Sequence, residues 1–380
     1  MKNIFSKDFK KILLIFVFWR ICLLLVSFFS MKLLPFKPSF PYYDAILARL
    51  SPYQFIWHWA NFDGPHYITL AEKGYIGTGL IQAFFPLYPL LMGLFDKIVK
   101  NPLYSGLLIS NFSFLFGLYF FEKLVKLEKI KQPKLVLVFL LLFPTSFYFG
   151  SLYSESLFFL LVVLSFLFIR QKKWWRASFF ASLASATRLV GIFIAPAILW
   201  EYWQSHKQKK NYFQAVFLGL LSISGFLLFC LYLNKNFNDP FYFVKVQNAF
   251  GASRQTDKLI LLHQVVWRYL KMMLTIRNNN ILLFSVTQEF LISLLVLGLL
   301  IWAAFKKMRR SYLIYSFLSF ILPTLTGNFS SMPRYVSLIF PIYFIFASIK
   351  KPKVRWLILS VFLILLIINT ALFLRGFWVA

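Results

Sequence analysis

Acidic residues are scarce in this sequence. Its 380 residues include 12 Asp and Glu against 41 Lys and Arg, which gives a formal net charge of +29. Charged residues make up 14% of the chain, against about 25% in soluble globular domains. Hydrophobic residues make up 60%, an excess that a soluble protein does not carry. We therefore expect most apolar side chains to face lipid, and the few carboxylates can be considered one by one.

Patterns for disulfides, metals and nucleotides are also missing. Cys22 and Cys230 both lie in apolar runs, which argues against a disulfide framework or a cysteine metal site. The histidines have no metal-ligand spacing, and no Walker loop, dinucleotide fingerprint or HExxH pattern occurs. The absence of an Asp-x-Asp pair weakens any mechanism that holds a nucleotide-sugar through a metal. We predict no cofactor, and the sequence leaves a metal requirement open.

The surplus of basic residues would suit a nucleic-acid-binding protein, but their positions argue against one. Lys and Arg fall in short clusters between apolar runs, whereas a nucleic-acid-binding face needs them on one water-exposed surface. Apolar runs near the roughly 20 residues needed to span a bilayer recur along the chain. The sequence predicts an all-α, polytopic transmembrane protein, with residues 1–380 forming one integral membrane domain and no nucleic acid as partner.

About eleven spans are predicted, within a range of 9 to 13. The first contains Arg20 and has no small-residue cleavage site, which favours a retained span over a removed signal peptide. Residues 177–203 are predicted to cross twice, as two short helices broken near Thr187–Arg188. The predicted spans lie near residues 12–34, 103–121, 135–150, 154–169, 177–187, 190–203, 212–233, 281–305, 311–327, 335–349 and 356–375.

Clusters of Lys and Arg set the predicted orientation, because such residues prefer the cytoplasmic side in short loops. Placing all clusters inside puts the N-terminus in the cytoplasm and the C-terminus outside. The clusters after the N-terminal one are Lys123, Lys126, Lys129, Lys131 and Lys134; Arg170, Lys172, Lys173 and Arg176; Lys207, Lys209 and Lys210; Lys306, Lys307, Arg309 and Arg310; and Lys350, Lys351, Lys353 and Arg355.

Two large external loops result from this topology, residues 35–102 and 234–280. Residues 83–98 are predicted not to cross fully, because two prolines within them each remove a helix hydrogen bond. Residues 65–73 are predicted to form a helix in the membrane interface that ends at Gly74. Irregular backbone is not tolerated against lipid, so these loops are where we expect water-accessible chemistry.

Several carboxylates have simple interpretations. Glu289 lies about eight residues into a span, roughly 12 Å deep at 1.5 Å per residue. A buried acid is a functional candidate, but a structural role is equally open, with Glu289 hydrogen-bonded beside Gln288 to a neighbouring helix. Four others lie next to lysines on the predicted cytoplasmic side and are predicted to balance local charge: Asp8, Glu122, Glu128 and Glu201.

Asp63 and Glu155 are predicted on the external side, near the starts of helices. Asp63 lies in Asn-Phe-Asp-Gly-Pro-His-Tyr (61–67), and an Asp shortly before Pro is typical of a helix N-cap. A capping carboxylate at the membrane surface is also rigidly held and can still accept a proton. Glu155 follows Tyr153 and Ser154 in a turn, and it has the same two interpretations, cap or functional acid.

Two isolated arginines, Arg188 and Arg334, are predicted on the same side. A lone Arg near the end of a span commonly snorkels to the interface, but it can also bind an anion. Arg20, in the middle of the first span, is costly in lipid and is predicted to face the protein interior. The charge-based topology thus places Asp63, Glu155, Arg188 and Arg334 on one side of the membrane.

Motifs around these residues resemble those of a known family. In the first external loop they are Phe-Asp-Gly-Pro-His-Tyr (62–67), Leu-Ala-Glu-Lys-Gly-Tyr (70–75) and Ala-Phe-Phe-Pro-Leu-Tyr-Pro (83–89). Less specific matches are Tyr-Ser-Glu-Ser-Leu (153–157), Ala-Thr-Arg-Leu-Val-Gly (186–191), Pro-Arg-Tyr (333–335) and the arginine in the first span. The sequence resembles the PIG-V family, which comprises GPI mannosyltransferase II and its bacterial relatives, multi-spanning glycosyltransferases of the GT-C type.

The resemblance implies a GT-C-like fold with external juxtamembrane helices and a polyprenyl-phosphate-linked sugar as donor, usually mannose. It also implies inversion at the anomeric carbon and carries the role of catalytic base to Asp63. His66, Tyr67, Glu155, Arg188 and Arg334 are then the predicted substrate-binding residues. The family often has Arg-Trp before the Asp that corresponds to Asp63, where this chain has Asn-Phe (61–62). It often has Ser-Asn after the arginine that corresponds to Arg188, where this chain has Leu-Val (189–190). These differences leave the sugar and the acceptor open.

The predicted chemistry fits the residue supply. A polyprenyl phosphate leaves as an anion that needs cations more than a proton, so one carboxylate base can suffice, unlike in glycoside hydrolysis. The base removes the proton of the acceptor hydroxyl as its oxygen attacks. Arg188, Arg334 and His66 are candidates to pair with the phosphate, and Glu155 to orient a sugar hydroxyl or an arginine.

The sequence leaves the acceptor open among a lipid, a glycan and a protein. A transferase for another lipid-linked group, such as a pentose or a phospho-group, is a related alternative. A transporter or flippase of lipid-linked sugars is an alternative of another class, although no internal repeat supports it, and a membrane scaffold is a third. The Lys, Phe and Ile bias favours a bacterial cell membrane over the endoplasmic reticulum, with the active site on the external face.

Overall fold

The computed structural model describes residues 7–206, 211–247, 260–277 and 279–379, which are helical and contain no β-strand. Five helices are long and apolar enough to cross a membrane, so the fold is that of a multi-pass helical membrane protein: Lys7–Leu33, Pro102–Leu127, Tyr212–Phe237, Asn280–Phe305 and Pro352–Leu374. The number of about eleven spans stays a prediction. Two predicted features lie partly or wholly outside the described residues: the cluster Lys207, Lys209 and Lys210, and residues 248–259 and 278 of the predicted second external loop.

The described α-helices are numbered in chain order. They are α1 (Lys7–Leu33), α2 (Gln54–Trp57), α3 (Gly64–Lys73), α4 (Leu87–Val99), α5 (Pro102–Leu127), α6 (Pro133–Leu141), α7 (Glu155–Arg170), α8 (Trp174–Ser185), α9 (Ile194–Ser205), α10 (Tyr212–Phe237), α11 (Tyr242–Lys245), α12 (Leu262–Thr275), α13 (Asn280–Phe305), α14 (Arg310–Thr324), α15 (Met332–Val336), α16 (Pro341–Ala347) and α17 (Pro352–Leu374). A π-helical turn (Tyr43–Ala48) and 3-10 turns (His58–Ala60, Ser146–Gly150 and Leu189–Phe193) complete them.

Local sequence explains where the long helices begin. The side chains of Asn101, Asn211 and Asn279 each accept a hydrogen bond from a backbone N–H in the first turn of α5, α10 and α13. Such caps satisfy donors that have no partner within the helix. In α5 the next residue is Pro102, whose fixed φ suits the first helical position.

Breaks in the predicted spans occur where the backbone cannot continue a helix. Helix α8 ends at Ser185 and Arg188 is extended (φ −155°, ψ 145°), which confirms the predicted break at this point. The predicted spans 135–150 and 335–349 are also divided, because Pro144 and Pro341 cannot donate to a continuing helix. Neither predicted span is therefore a single continuous helix.

One end of the bundle is held by ion pairs, and we call it the basic end. There, Lys126 lies 2.9 Å from Asp8 and 3.4 Å from Glu122, so the start of α1 meets the end of α5. Arg309, just before α14, lies 3.1 Å from Glu201 of α9. Glu128 pairs with Arg170 at the end of α7. The four carboxylates predicted to balance basic residues all do so.

The other end carries residues 35–102, the predicted first external loop, and we call it the site end. The last turns of α1 and α17 meet here, since Arg375 Nε donates to the Leu34 carbonyl at 2.9 Å. Helix α4 begins at this end, where Leu87 N donates to the Ala186 carbonyl at 3.0 Å. The residue just before α5, Asn101, donates to the Leu50 carbonyl at 2.8 Å. Both ends of α4 therefore lie at the site end, as predicted for residues 83–98.

The predicted interfacial helix is α3, and it ends at Gly74 (φ +72°). Its buried face includes Tyr67 and Ile68, while Glu72 and Lys73 are exposed. Helix α4 packs against it closely, because Gly93 has no Cβ that would meet the backbone of α3. The pair fixes the segment that carries Asp63.

Helix α7 lies at the centre of the bundle, and nearly all of its side chains are buried. It packs between α5 and α8, where Gly117 of α5 lets the Phe159 ring approach. Its first residue is Glu155, which the surrounding helices exclude from solvent. The interior of the bundle thus positions one of the predicted site residues.

Arg20 faces the protein interior, as predicted. Its guanidinium group lies over the Trp59 ring, 4.0 Å from the centroid. The absence of a side chain at Gly150 gives the guanidinium its space, because a Cβ there would collide with Nη1. A cation over an indole face is an attractive contact, which compensates part of the cost of burying the charge.

Candidate functional site

Two carboxylates and two arginines form a chain of ion pairs at the site end. Arg334 Nη1 donates to Asp63 Oδ2 at 2.8 Å, and Arg334 Nε lies 3.3 Å from Glu155 Oε1. The same oxygen of Glu155 accepts a hydrogen bond from Arg188 Nη1 at 2.6 Å. The order is Asp63–Arg334–Glu155–Arg188. Residues from four distant segments are thus brought together, with two formal charges of each sign.

The backbone around Asp63 aims its side chain at Arg334. Asp63 stands at the N-cap position of α3, but its side chain makes no capping hydrogen bond, so the capping interpretation is wrong for the carboxylate. Phe62 has φ +65°, a conformation that non-glycine residues seldom adopt. The Tyr153 hydroxyl donates to the Asn61 carbonyl at 2.7 Å and accepts from Asp63 N at 3.2 Å. These two hydrogen bonds of Tyr153 hold residues 61–63 in this conformation.

Glu155 joins the two arginines. Its side chain is 1% exposed. Glu155 is the first residue of α7, whose N-cap is Ser154, and its carboxylate contacts Arg188 and Arg334, so a capping role is wrong here too. Burial of an unpaired carboxylate would cost free energy. The guanidinium groups of Arg188 and Arg334 offset that cost by pairing with Glu155. Of the two predicted roles, orienting an arginine fits this position, because Glu155 is not among the residues that line the nearby cavity.

Arg334 is held by aromatic rings as well as by carboxylates. Its guanidinium carbon lies 5.4 Å from the centroid of Tyr148 and 5.5 Å from that of Tyr153. The ring of Tyr335 lies between Arg188 and Arg334, and its centroid is 5.4 Å from the guanidinium carbon of each. Such contacts favour a cation. The side chain of Arg334 is 8% exposed, so its direction is fixed before any ligand binds.

The two candidate residues on α3, His66 and Tyr67, differ in their position relative to the cavity. The Tyr67 hydroxyl donates to Ser154 Oγ at 3.0 Å, and Ser154 Oγ also accepts from Arg188 Nη1 at 3.3 Å. His66 stacks on Phe84 with ring centroids 5.3 Å apart and does not line the cavity. Burial lowers the pKa of His66, although the charge of Asp63 opposes that shift. A neutral imidazole is poorly suited to the predicted phosphate pairing.

A cavity of about 540 Å³ opens beside the ion pairs. Its charged residues are Asp63, Arg188 and Arg334. The other polar residues of the wall are Tyr67, Ser154, Thr187, Gln247, Tyr315, Ser319, Thr326, Asn328, Ser330 and Tyr335. The apolar part of the wall comes mainly from the 83–85 segment, the break after α8, the end of α14 and residues 338–339. Its main apolar residues are Phe84, Phe85, Leu189, Val190, Val244, Leu322, Pro323, Leu325, Leu338, Ile339 and Trp378.

Several residues at this site were not predicted from the sequence. Tyr153 and Ser154 bind the site residues directly, and both belong to the Tyr-Ser-Glu-Ser motif, so the motif itself gave a signal. Asn328 and Trp378 also line the cavity. Trp378 packs edge-on against Phe62 at 5.2 Å between centroids. Nothing in the sequence around position 378 indicated that contact.

Glu289 has structural partners outside the cavity. Its Oε2 accepts a hydrogen bond from the Tyr269 hydroxyl of α12 at 2.6 Å, and its Oε1 accepts one from Ser331 N at 3.0 Å. Gln288 accepts from Asn369 Nδ2 of α17 at 2.9 Å. These are contacts between neighbouring segments, as the structural interpretation predicts. Ser331 is the N-cap residue of α15, the helix that carries Arg334.

In the part of the chain that the structure describes, no group of three or more His, Cys, Asp or Glu side chains is placed to hold a metal ion. The chain matches no model of a known protein family, no curated protein and no solved structure. The resemblance to the PIG-V family therefore rests on the quoted motifs alone.

Proposed function

We propose that the protein is a membrane glycosyltransferase that moves a sugar from a polyprenyl-phosphate-linked donor to an acceptor hydroxyl, with inversion and with Asp63 as general base. Mannose is the sugar that the resemblance favours. The observation that carries the proposal is the shared cavity wall of Asp63, Arg188 and Arg334. A carboxylate and two fixed cations at one cavity with polar and apolar walls are the groups that this reaction requires.

The composition of the cavity wall supports an amphiphilic donor. An apolar prenyl chain gains free energy against walls of Leu, Val, Ile and Phe, while a phosphate requires cationic donors. Arg188 and Arg334 supply those donors, and a guanidinium group can bind two phosphate oxygens at once. The polar and apolar parts of the wall thus match the two parts of a lipid-linked sugar.

The proposed reaction balances with the groups present. The acceptor oxygen attacks the anomeric carbon as its proton passes to Asp63. The bond between the anomeric carbon and the phosphate oxygen breaks, and the polyprenyl phosphate leaves as an anion paired with the arginines. A bound phosphate competes with Asp63 for Arg334, so donor binding loosens the 2.8 Å pair and frees the carboxylate for the acceptor hydroxyl.

The proposed topology has about eleven spans, with a cytoplasmic basic end and an external site end in a bacterial cell membrane. Support comes from the gathering of Asp8, Glu122, Glu128 and Glu201 with basic residues at the end opposite Asp63. The rule that Lys and Arg prefer cytoplasmic loops gives the orientation. A GT-C-like fold is the corresponding proposal for the architecture.

The test uses the full chain in lipid nanodiscs, with polyprenyl-phosphate-linked mannose, other hexoses and pentoses as donors and a membrane glycolipid extract as acceptor. Release of polyprenyl phosphate and formation of a new glycoconjugate are measured together. Asp63→Asn should lower transfer by roughly 100-fold or more, the range for loss of a general base. Asp8→Asn, an acid-to-amide change at the basic end, is the control and should retain transfer.

Wild-type turnover in Asp63→Asn would contradict its role as base. Movement of lipid-linked sugar across proteoliposomes without bond formation would instead favour the transporter. Release of polyprenyl phosphate only from pentose donors, or transfer of a phospho-group, would redirect the proposal to the related transferase class.

A further inference from the structure

A second cavity lies at the basic end, opposite the proposed site. It is a surface groove of about 360 Å³ between α6 and α17. Leu135, Val138 and Leu142 line one side, and Leu359 and Leu363 line the other. The wall is mainly apolar, and polar groups are confined to Gln132, Arg355 and Ser360. Nothing in the proposed transfer reaction uses this groove.

The charge at the mouth of the groove has no acidic counterpart. Arg355 Nη1 donates to the neutral Gln132 Oε1 at 2.5 Å, and no described carboxylate forms an ion pair with Arg355. No Asp or Glu occurs between residues 129 and 154 or after residue 289, so neither wall can supply one. The adjoining basic residues are Lys131, Lys134, Lys350, Lys351 and Lys353.

The dimensions of the groove match one half of a bilayer. From Gln132 to Leu142 the wall advances about 15 Å at 1.5 Å per residue, which is half of the roughly 30 Å hydrocarbon core. Trp356 stands at the mouth and is 70% exposed. Tryptophan prefers the level of the lipid headgroups, so the mouth with Arg355 lies at headgroup level and the leucines lie at acyl-chain level.

We infer that this groove is a binding site for an anionic phospholipid of the surrounding membrane. The phosphate and any second negative group of the headgroup pair with Arg355, while one acyl chain lies between α6 and α17. Basic pockets between membrane helices bind anionic headgroups in this way. A zwitterionic lipid fills the apolar part equally well, but its positive group would lie beside Arg355, which no described carboxylate neutralises. Arg355 therefore selects an anionic headgroup.

The experiment is native mass spectrometry of the purified full chain with equal amounts of phosphatidylglycerol and phosphatidylcholine of identical acyl chains. The wild type should retain phosphatidylglycerol in preference. Arg355→Gln should reduce its retention about fivefold, which corresponds to about 1 kcal/mol for one basic residue near the headgroups. Lys353→Gln removes the same charge two residues away, outside the groove lining, and should keep most of the preference.

A second variant tests the apolar part. Val138 is 37% exposed and lines the groove, so Val138→Trp should fill it without disturbing the interior, and it should reduce retention of both lipids. Equal retention of the two lipids by the wild type would overturn the inference. The inference would also fail if Arg355→Gln kept the full preference for phosphatidylglycerol. It would fail equally if Lys353→Gln reduced that preference as much as Arg355→Gln does. Unfolding temperatures in phosphatidylcholine check that all variants are folded.

Discussion

The Asp63 carboxylate lies 2.8 Å from Arg334 Nη1, although 271 positions separate the two residues in the chain. The turn before α3 supplies the carboxylate, and α15 supplies the guanidinium group of the pair. Arg334 also approaches Glu155, so one guanidinium group joins the turn before α3 to the first residue of α7. The three segments therefore meet at one residue of the cavity wall.

Glu155→Gln should destabilise the fold and reduce transfer together. The change leaves Arg188 and Arg334 without the carboxylate that they share, and removing one partner of a buried pair costs about 3–5 kcal/mol. We expect a clear fall in the unfolding temperature and a loss of donor binding, measured by thermal unfolding and by titration with polyprenyl-phosphate-linked mannose.

The matched control for this change is Asp8→Asn, in which an exposed acid at the basic end loses its pair with Lys126. Its unfolding temperature should stay close to that of the wild type, because exposed ion pairs contribute little. Equal behaviour of the two variants would contradict a special role for Glu155.

Glu289→Gln should destabilise the contact between α12, α13 and the start of α15. Both carboxylate oxygens accept hydrogen bonds, from Tyr269 and from Ser331 N, and an amide offers only one acceptor oxygen. An unmade bond to a buried donor costs about 1–3 kcal/mol, which thermal unfolding detects. Glu72→Gln, an exposed change on α3, is the control. An unchanged unfolding temperature in Glu289→Gln would show that these contacts carry no stability.

His58 should make the protein sensitive to acid. Burial, together with the charge of Arg375, lowers the pKa of His58 to about 3, and neither ring nitrogen forms a hydrogen bond with a described residue. Below the ordinary pKa of about 6.5 the unfolded chain takes up a proton that the folded chain does not. Stability therefore falls as the pH falls from about 6.5 towards 3, by about 2 kcal/mol at pH 5 from this residue.

His58→Phe tests that expectation, because the ring already stacks on Phe36 with centroids 4.9 Å apart. At pH 8 the unfolding temperatures of variant and wild type should be similar. At pH 5 the variant should be the more stable of the two. Parallel pH curves for both proteins would assign the acid sensitivity to other groups.

Gly225→Ala should disturb the contact between α8 and α10. A Cβ at Gly225 would collide with the Ser182 carbonyl oxygen, and overpacking of this kind costs about 1–3 kcal/mol. Gly298, also inside a long helix, has open space where a Cβ would stand. Gly298→Ala should leave stability unchanged or raise it by up to about 1 kcal/mol. Thermal unfolding of the two variants compares them directly, and equal effects would contradict close packing at Gly225.

The positions of the helices were largely predictable from the sequence, because apolar length and basic clusters reflect the bilayer directly. Helix α13 was expected at 281–305 and spans Asn280–Phe305. Prolines had more influence than the apolar pattern shows, since Pro341 divides a predicted span into α15 and α16. Helix α12 was not predicted, because its buried side depends on Tyr269 meeting a partner in another helix.

The candidate site was predictable as a set of residues but not as a network. Charge placement put Asp63, Glu155, Arg188 and Arg334 on one side of the membrane, and the structure brings all four together. A single sequence could not show which acid pairs with which arginine, because pairing depends on how distant helices pack. The same limit applies to His66, which stacks behind the cavity-lining ring of Phe84 and does not line the cavity itself.

The shared oxygen of Glu155 also constrains how this protein can be recombined with a relative. Arg188 and Arg334 both depend on that atom, so the three positions do not contribute independently. A chimera joined anywhere between residues 189 and 333 would take Arg334 from one parent and its two carboxylate partners from the other. Such hybrids should fold and function only when both parents carry the same charges at positions 63, 155, 188 and 334, and exchanges at these positions should accompany one another in evolution.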